Sequence, residues 1–383
     1  MPVTVLDEQP PANVTTASFD PCNPTCIPQI CTPNPNCSPW SRAAQTDPMR
    51  TGDPCLPDTP PERCPPTQQC SPDTDADPRK SASFHDPGVP AERFGGAGFL
   101  WLDLTRDCSL KCDHCYNASG PSGDKKLLKV LTEASPSAAL MQPEDWFRVL
   151  HQGVQAGVTM IQLIGGEPTM YHGFTEVLTY ALKLELKVEV FSNLVHVRDI
   201  WWPLFQNPAV SLATSYYSDD PAEHDEITGR DSHRKTRANI SRAIQLGVSL
   251  RVGIVHVNPT QRVREARRDL EALGVKPHLI GYDRVRAFGR GRGEHASCDV
   301  NELCGRCGDG RAAIGPDGTV TPCIMSSWLG AGNVKTTPLA DILAGKEMAA
   351  AKVLIPARSA DGCDPDPDGC RPDAYPCQPQ NGG

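Results

Sequence analysis

Between residues 95 and about 290, short apolar runs alternate with longer stretches in which apolar positions recur every three to four residues. The runs at 99–104, 160–164, 188–191, 210–215, 250–257 and 278–282 have the length and the bounding turn residues of strands. The stretches at 143–157, 174–186, 199–205, 235–247 and 261–274 carry the helical period. Three of them close on Gly157, Gly247 and Gly274, where a left-handed cap costs little. Strand and helix alternating in series predict an α/β fold: a parallel sheet with helices packed outside it.

The first 90 residues carry no such period. Pro, Asp, Thr and Asn dominate, and the segment is expected to be a disordered Pro/Cys-rich arm. Cys22, Cys26, Cys31, Cys37, Cys55, Cys64 and Cys70 each stand two residues before a proline, as do Cys363, Cys370 and Cys377 at the far end. None of the cysteines between them does, so the thiols sort into a tail set and a core set. The tail set has three readings: incidental thiols in low-complexity sequence, ligands of an additional metal centre, or a segment that imitates or carries substrate. The third rests on proline holding its neighbours extended, a form suited to entering a cleft.

Composition narrows the class. A net charge of −9 argues against nucleic acid or an anionic membrane as the main partner. No apolar run approaches the ~20 residues of a membrane span, and Met1 to Glu8 lacks a basic start and a signal-type core. A cytoplasmic protein is expected, and in a reducing compartment 17 cysteines read as metal ligands rather than disulfides.

Candidate chemistry begins where the first apolar run ends. Cys108, Cys112 and Cys115 follow a C-x3-C-x2-C spacing. Three thiolates so placed can hold three irons of a cubane and leave the fourth open; zinc, the other reading, wants a fourth protein ligand close by. The run 161–164 then leads into Gly165, Gly166, Glu167 and Pro168. By itself this could be a strand-to-loop turn whose glycines let the chain approach a ligand closely. Taken together the two motifs resemble those of the radical S-adenosylmethionine (radical SAM) superfamily. The resemblance implies a partial (β/α)6 barrel over 95–292, with cofactors at the C-terminal ends of its strands, as in full barrels. It implies a [4Fe-4S] cluster on Cys108, Cys112 and Cys115, SAM chelated at the open iron, and the SAM amino group held by the Gly165–Pro168 segment. It also implies reductive cleavage of SAM to a 5′-deoxyadenosyl radical that abstracts an unactivated hydrogen, fed by a donor such as flavodoxin or ferredoxin.

The other strand ends supply further candidates. Ser192 and Asn193 stand where relatives contact the SAM ribose or carboxylate, although both residue types are also common turn formers. Ser215, Arg251 and His256 lie on the fourth and fifth strands, and 284–291 resembles the segment that passes the adenine. The stretch 216–226 is polar, turn-rich and dense in carboxylates, and is expected to be an insertion over the cleft mouth that could carry an acid or base.

Beyond 295 come Cys298, Cys304 and Cys307, then Gly315-Pro-Asp-Gly318, a hairpin signal that folds Cys323 back toward them. Four thiolates can enclose a cluster; a zinc ribbon is the alternative. The spacing resembles the SPASM/twitch extension of radical SAM maturases, and 329–343 resembles its continuation. The expected auxiliary iron–sulfur cluster would use Cys304, Cys307 and Cys323 with either Cys298 or a C-terminal cysteine, in a domain spanning 295–383. The dense cysteine run that completes a full SPASM domain is not present.

Relatives of this kind mostly modify ribosomally made peptides, so the resemblance implies oxidative maturation of a peptide. The alternatives are a dehydrogenase or epimerase acting on a sugar or aminocyclitol, and an iron–sulfur or metal-binding protein without SAM chemistry.

Overall fold

The computed structural model describes residues 98–293, 298–303 and 305–356. The Cys-x-Pro segments, the expected arm and Cys304 lie outside the described residues. In chain order the elements are β1 (Phe99–Asp103), α1 (Gly123–Ala134), α2 (Pro143–Gln155), β2 (Met160–Ile164), α3 (Phe174–Lys183), β3 (Lys187–Phe191) and α4 (Trp202–Phe205). Then follow β4 (Val210–Tyr216), α5 (Pro221–Thr228), α6 (His233–Gln245), β5 (Leu250–His256), α7 (Val263–Leu273) and β6 (Ile280–Arg284). The chain continues with β7 (Arg311–Ile314), β8 (Thr319–Thr321), β9 (Gly332–Asn333), α8 (Leu339–Leu343) and α9 (Lys346–Leu354).

Strands β1 to β6 pair in sequence order, all parallel. Parallel neighbours need a crossover, and the helices between them supply it. The sheet does not close on itself. The second edge of β1 is taken by β7, also parallel, and β8 and β9 extend the sheet as antiparallel strands. The segment between Cys307 and Cys323 is therefore hydrogen-bonded to the first strand of the α/β unit.

Burial on both faces explains why the strands read as near-continuous apolar runs. Successive side chains alternate sides. Leu100 and Leu102 of β1 join Trp146, Val149 and Leu150 of α2 in the outer core. Trp101, pointing the other way, joins Ile164, Phe288, Cys307, Cys323 and Met325 in a second cluster. The inner face of β1 is thus the floor on which the second cysteine group packs.

Among the described residues no helix is long and apolar enough to cross a membrane. Two helices depart from the periodicity reading. Residues 123–134 form α1, and 221–228 form α5 rather than an irregular insertion. The carboxylate of Asp220 caps α5 by accepting from the Ala222 and Glu223 amides at 2.7 and 3.3 Å. The side chains α5 buries are His224, Ile227 and Thr228, two of them polar, so a hydropathy period could not reveal the helix.

Candidate active site

A cavity of about 140 Å³ opens at the C-terminal ends of the strands, lined by Cys108, Cys112 and Cys115, by Gly165 and Gly166 after β2, and by Asn193 after β3. Ser215, Tyr217, His224, Val255, Arg290 and Met325 also face it. Residues far apart in sequence meet here because parallel strands deliver all their C-terminal ends to one rim.

The cysteine loop is held from several sides. The Gly166 amide donates to Thr105 O at 2.7 Å and the Glu167 amide to Asp107 O at 2.8 Å. A Cβ on Gly165 would stand 2.6 Å from Thr105 O, and one on Gly166 2.5 Å from Asp107 O. The close approach that these glycines permit is therefore to the backbone entering the cysteine loop. Asp124 at the start of α1 accepts from Thr105 Oγ1 and from the Arg106 amide, both at 2.6 Å. The Lys111 amide donates to Thr228 O at 2.9 Å, which ties the loop to α5.

Glu167, expected with its backbone neighbours to hold the SAM amino group, is buried among hydrogen-bond donors. Its Oε1 accepts from Thr169 N, Thr169 Oγ1 and Ser192 Oγ at 3.2, 2.7 and 2.8 Å, and its Oε2 from the Asn193 amide at 2.7 Å. Burial lifts this carboxyl above its ordinary range against the pull of those donors. Glu167 and Ser192 thus lock the β2 and β3 ends together, while Asn193 projects toward the cavity, its Nδ2 3.7 Å from Cys108 Sγ. Pro168 opens a 3-10 turn ending at Met170. Arg251 is not a cavity residue: its guanidinium grips Glu189 inside the sheet, at 2.7 and 2.8 Å.

Whether the first triplet suits an iron–sulfur cluster follows from its surroundings. Burial first, then the nearby Glu167, raises the Cys108 thiol to about 12. Burial and the charges of its two partner cysteines raise Cys112 further. Thiolates at Cys108 and Cys112 are disfavoured in such a place unless cations lie beside them, which irons provide. The three cysteines line one cavity together. The donor set fits a cluster.

At the second group the Cys307 and Cys323 thiols are buried in the cluster around Trp101 and Phe288. A hydrogen bond from Cys307 holds the Cys323 thiol below its usual range despite burial. The Met325 amide donates to Cys323 Sγ at 3.4 Å. Cys298, expected as a possible ligand, is disulfide-bonded in this structure.

Two features were not legible in the sequence. Asn117 bridges the motifs, donating from Nδ2 to Gly165 O at 3.3 Å and accepting from Cys115 Sγ at 3.1 Å. The second is the assembly of an aromatic and imidazole cluster from the 216–226 stretch, His114 of the cysteine loop and His233 of α6. His114 Nε2 and Tyr217 Oη lie 3.1 Å apart, and His224 sits between Tyr216, Tyr217 and His233. Burial, then the His233 charge, lowers the His224 imidazole from 6.5 to about 4. A lowered imidazole favours the folded state only while neutral, so its contribution is complete above 6.5 and fades as pH falls toward about 4. His224→Phe is expected to shrink the drop in melting temperature across that window; an unchanged drop would rule the residue out as its source.

Comparison with known proteins places these features in a family. The radical SAM superfamily profile matches residues 102–271, and that of an iron–sulfur cluster-binding domain, SPASM, matches 304–371. The chain is similar to the sporulation killing factor maturation protein SkfB of Bacillus subtilis, 32% identical over 36% of this chain and 30% of the relative. It is also similar to the B. subtilis antilisterial bacteriocin subtilosin biosynthesis protein AlbA, 27% identical over 50% of this chain and 40% of the relative. The similarity thus spans less than half the length of these curated relatives. Among solved structures, Streptococcus suis SuiB bound to precursor peptide SuiA matches with a TM-score of 0.51 and 15% identity, covering 67% of this chain and 66% of that one. At that identity the likeness is one of fold.

Proposed function

We propose, for a chain that belongs to the radical SAM superfamily and carries a C-terminal iron–sulfur cluster-binding domain, that it is a maturase making an oxidative modification on a ribosomally synthesised peptide. Enzymes of this superfamily use a [4Fe-4S] cluster and SAM, and the SPASM domain binds auxiliary clusters. In this reading the barrel spans 95–292 and the auxiliary domain 295–383. Cys108, Cys112 and Cys115 would hold the SAM-binding cluster, with Gly165, Gly166 and Asn193 beside the SAM. Cys307 and Cys323 would ligate the auxiliary one. When bound, these groups supply a carbon-centred radical that takes hydrogen and an acceptor for the electron left behind.

The observation that carries the reading is that one cavity is bounded both by the first triplet and by Met325, whose amide touches Cys323 Sγ. A net oxidation needs both thiol groups near one substrate. Ile164, Phe191, Val255 and Met325 give the cavity apolar walls that keep water from a reactive species. Tyr217 Oη and His114 Nε2 can hold a proton between them at the wall. A peptide is favoured over a sugar by the relatives: one is described as a maturation protein, one as a bacteriocin biosynthesis protein, and the matched fold was solved with a precursor peptide.

The test is to incubate the reconstituted enzyme with SAM, dithionite and short Cys- or aromatic-rich peptides encoded beside its gene. Mass spectrometry is expected to find hydrogen loss in the peptide together with 5′-deoxyadenosine. Hydrogen loss from a sugar or aminocyclitol, with every such peptide unchanged, would overturn the peptide reading.

A further inference from the structure

Residues Gly289–Arg292 form a 3-10 turn that lies across the cysteine loop. The Arg290 amide donates to Cys115 O at 2.9 Å. Its guanidinium donates from Nε and Nη2 to one acceptor, Cys112 O, at 2.9 and 2.7 Å. The turn fits so closely that a Cβ on Gly289 would stand 2.3 Å from Tyr116 O, and one on Gly291 2.9 Å from His114 O. Gly289 also has φ +54, a left-handed conformation that glycine adopts without strain. The neighbouring Arg284 and Arg286 lie 2.7 and 3.7 Å from carboxylate oxygens of Glu302 and Asp283. Arg290 instead gives its donors to a neutral carbonyl and lines the same cavity as the three cysteines.

We infer that Arg290 is a positioning residue that fixes the cysteine loop and, through its charge, raises the reduction potential of the cluster held there. The inference rests on the proposal that Cys108, Cys112 and Cys115 carry that cluster. Reduction adds one electron, supplied by the external reductant, and no proton. It makes the cluster more negative, so a fixed cation within a few ångströms favours the reduced form. The effect is on the couple itself, upstream of any substrate.

The test is a potentiometric titration of the anaerobically reconstituted full chain, followed by electron paramagnetic resonance. The signal is assigned to the first cluster by its loss in Cys108/Cys112/Cys115→Ala. Arg290→Gln keeps hydrogen-bond donors and loses the charge; Arg290→Lys keeps the charge and loses the two-donor grip. The expected order of potentials is wild type, then Lys, then Gln. The Gln variant is expected to fall by about tenfold in the reduction equilibrium, which is about 59 mV for a one-electron couple. A Gln variant at the wild-type potential overturns the assignment. If Gln holds no cluster, Arg290→Met decides in its place: a Met variant at the wild-type potential overturns the assignment, and cluster loss in both neutral variants reduces Arg290 to a structural clamp. A signal that survives in the triple Ala variant would instead remove the underlying placement of the cluster.

Discussion

Alanine at Cys108, Cys112 and Cys115 together is expected to remove one cluster's iron, about four atoms per chain, and to abolish 5′-deoxyadenosine formation from SAM and dithionite. Iron held at the second group is expected to persist in that variant, and Cys307/Cys323→Ala is expected to show the converse iron loss. The reason is chemical. Burial and mutual repulsion disfavour the Cys108 and Cys112 thiolates without cations beside them. The cavity they line is also bounded by the backbone of Gly165 and Gly166, leaving room for a ligand on an open iron. Iron and sulfide analysis together with chromatography of the nucleoside product decides the matter. Full iron content and continued 5′-deoxyadenosine formation in the triple variant would defeat it.

Arg251→Met is expected to cost about 3–5 kcal/mol of stability, the usual loss when one partner of a buried ion pair is removed. Arg251 and Glu189 are nearly inaccessible, and the guanidinium meets both carboxylate oxygens. Gln162 donates to Glu189 Oε1 at 2.6 Å, so the carboxylate joins β2, β3 and β5 in one layer inside the sheet. Removing the guanidinium leaves a charged carboxylate there without its cation. Glu189→Gln combined with Arg251→Met is expected to recover much of the loss, because the introduced amide still offers an acceptor to Gln162 and no longer needs a cation. Thermal melting of the anaerobic protein, followed by circular dichroism, measures both. A single variant as stable as wild type, or a double variant no better than the single one, would contradict this account.

The first apolar runs and both cysteine groups were legible because they are written in local patterns: strand length, helical period and ligand spacing. All six parallel strands occur close to where those patterns place them. Arg251 illustrates what such patterns miss. A candidate because it lies on the fifth strand, it stands next to that strand's N-terminal residue, away from the cavity rim, and its partner comes from two strands away in the sheet. Two of the four donors to the Glu167 carboxylate likewise arrive from the end of a different strand. The helix α5 escaped because what it buries is an imidazole and a hydroxyl, which hydropathy counts as surface.

By itself the sequence determined the strands β1 to β6 with the helices α2, α3, α4, α6 and α7 between them, the two sets of core thiols and the family to which they point, because each is encoded within a few residues of itself. Only the tertiary structure decided which polar side chains face the cavity and which brace it. It also decided that Arg290 reaches back to Cys112 across 178 residues of chain. Those contacts depend on strand register and on close backbone approach between distant segments, and neither leaves a periodic trace in the chain.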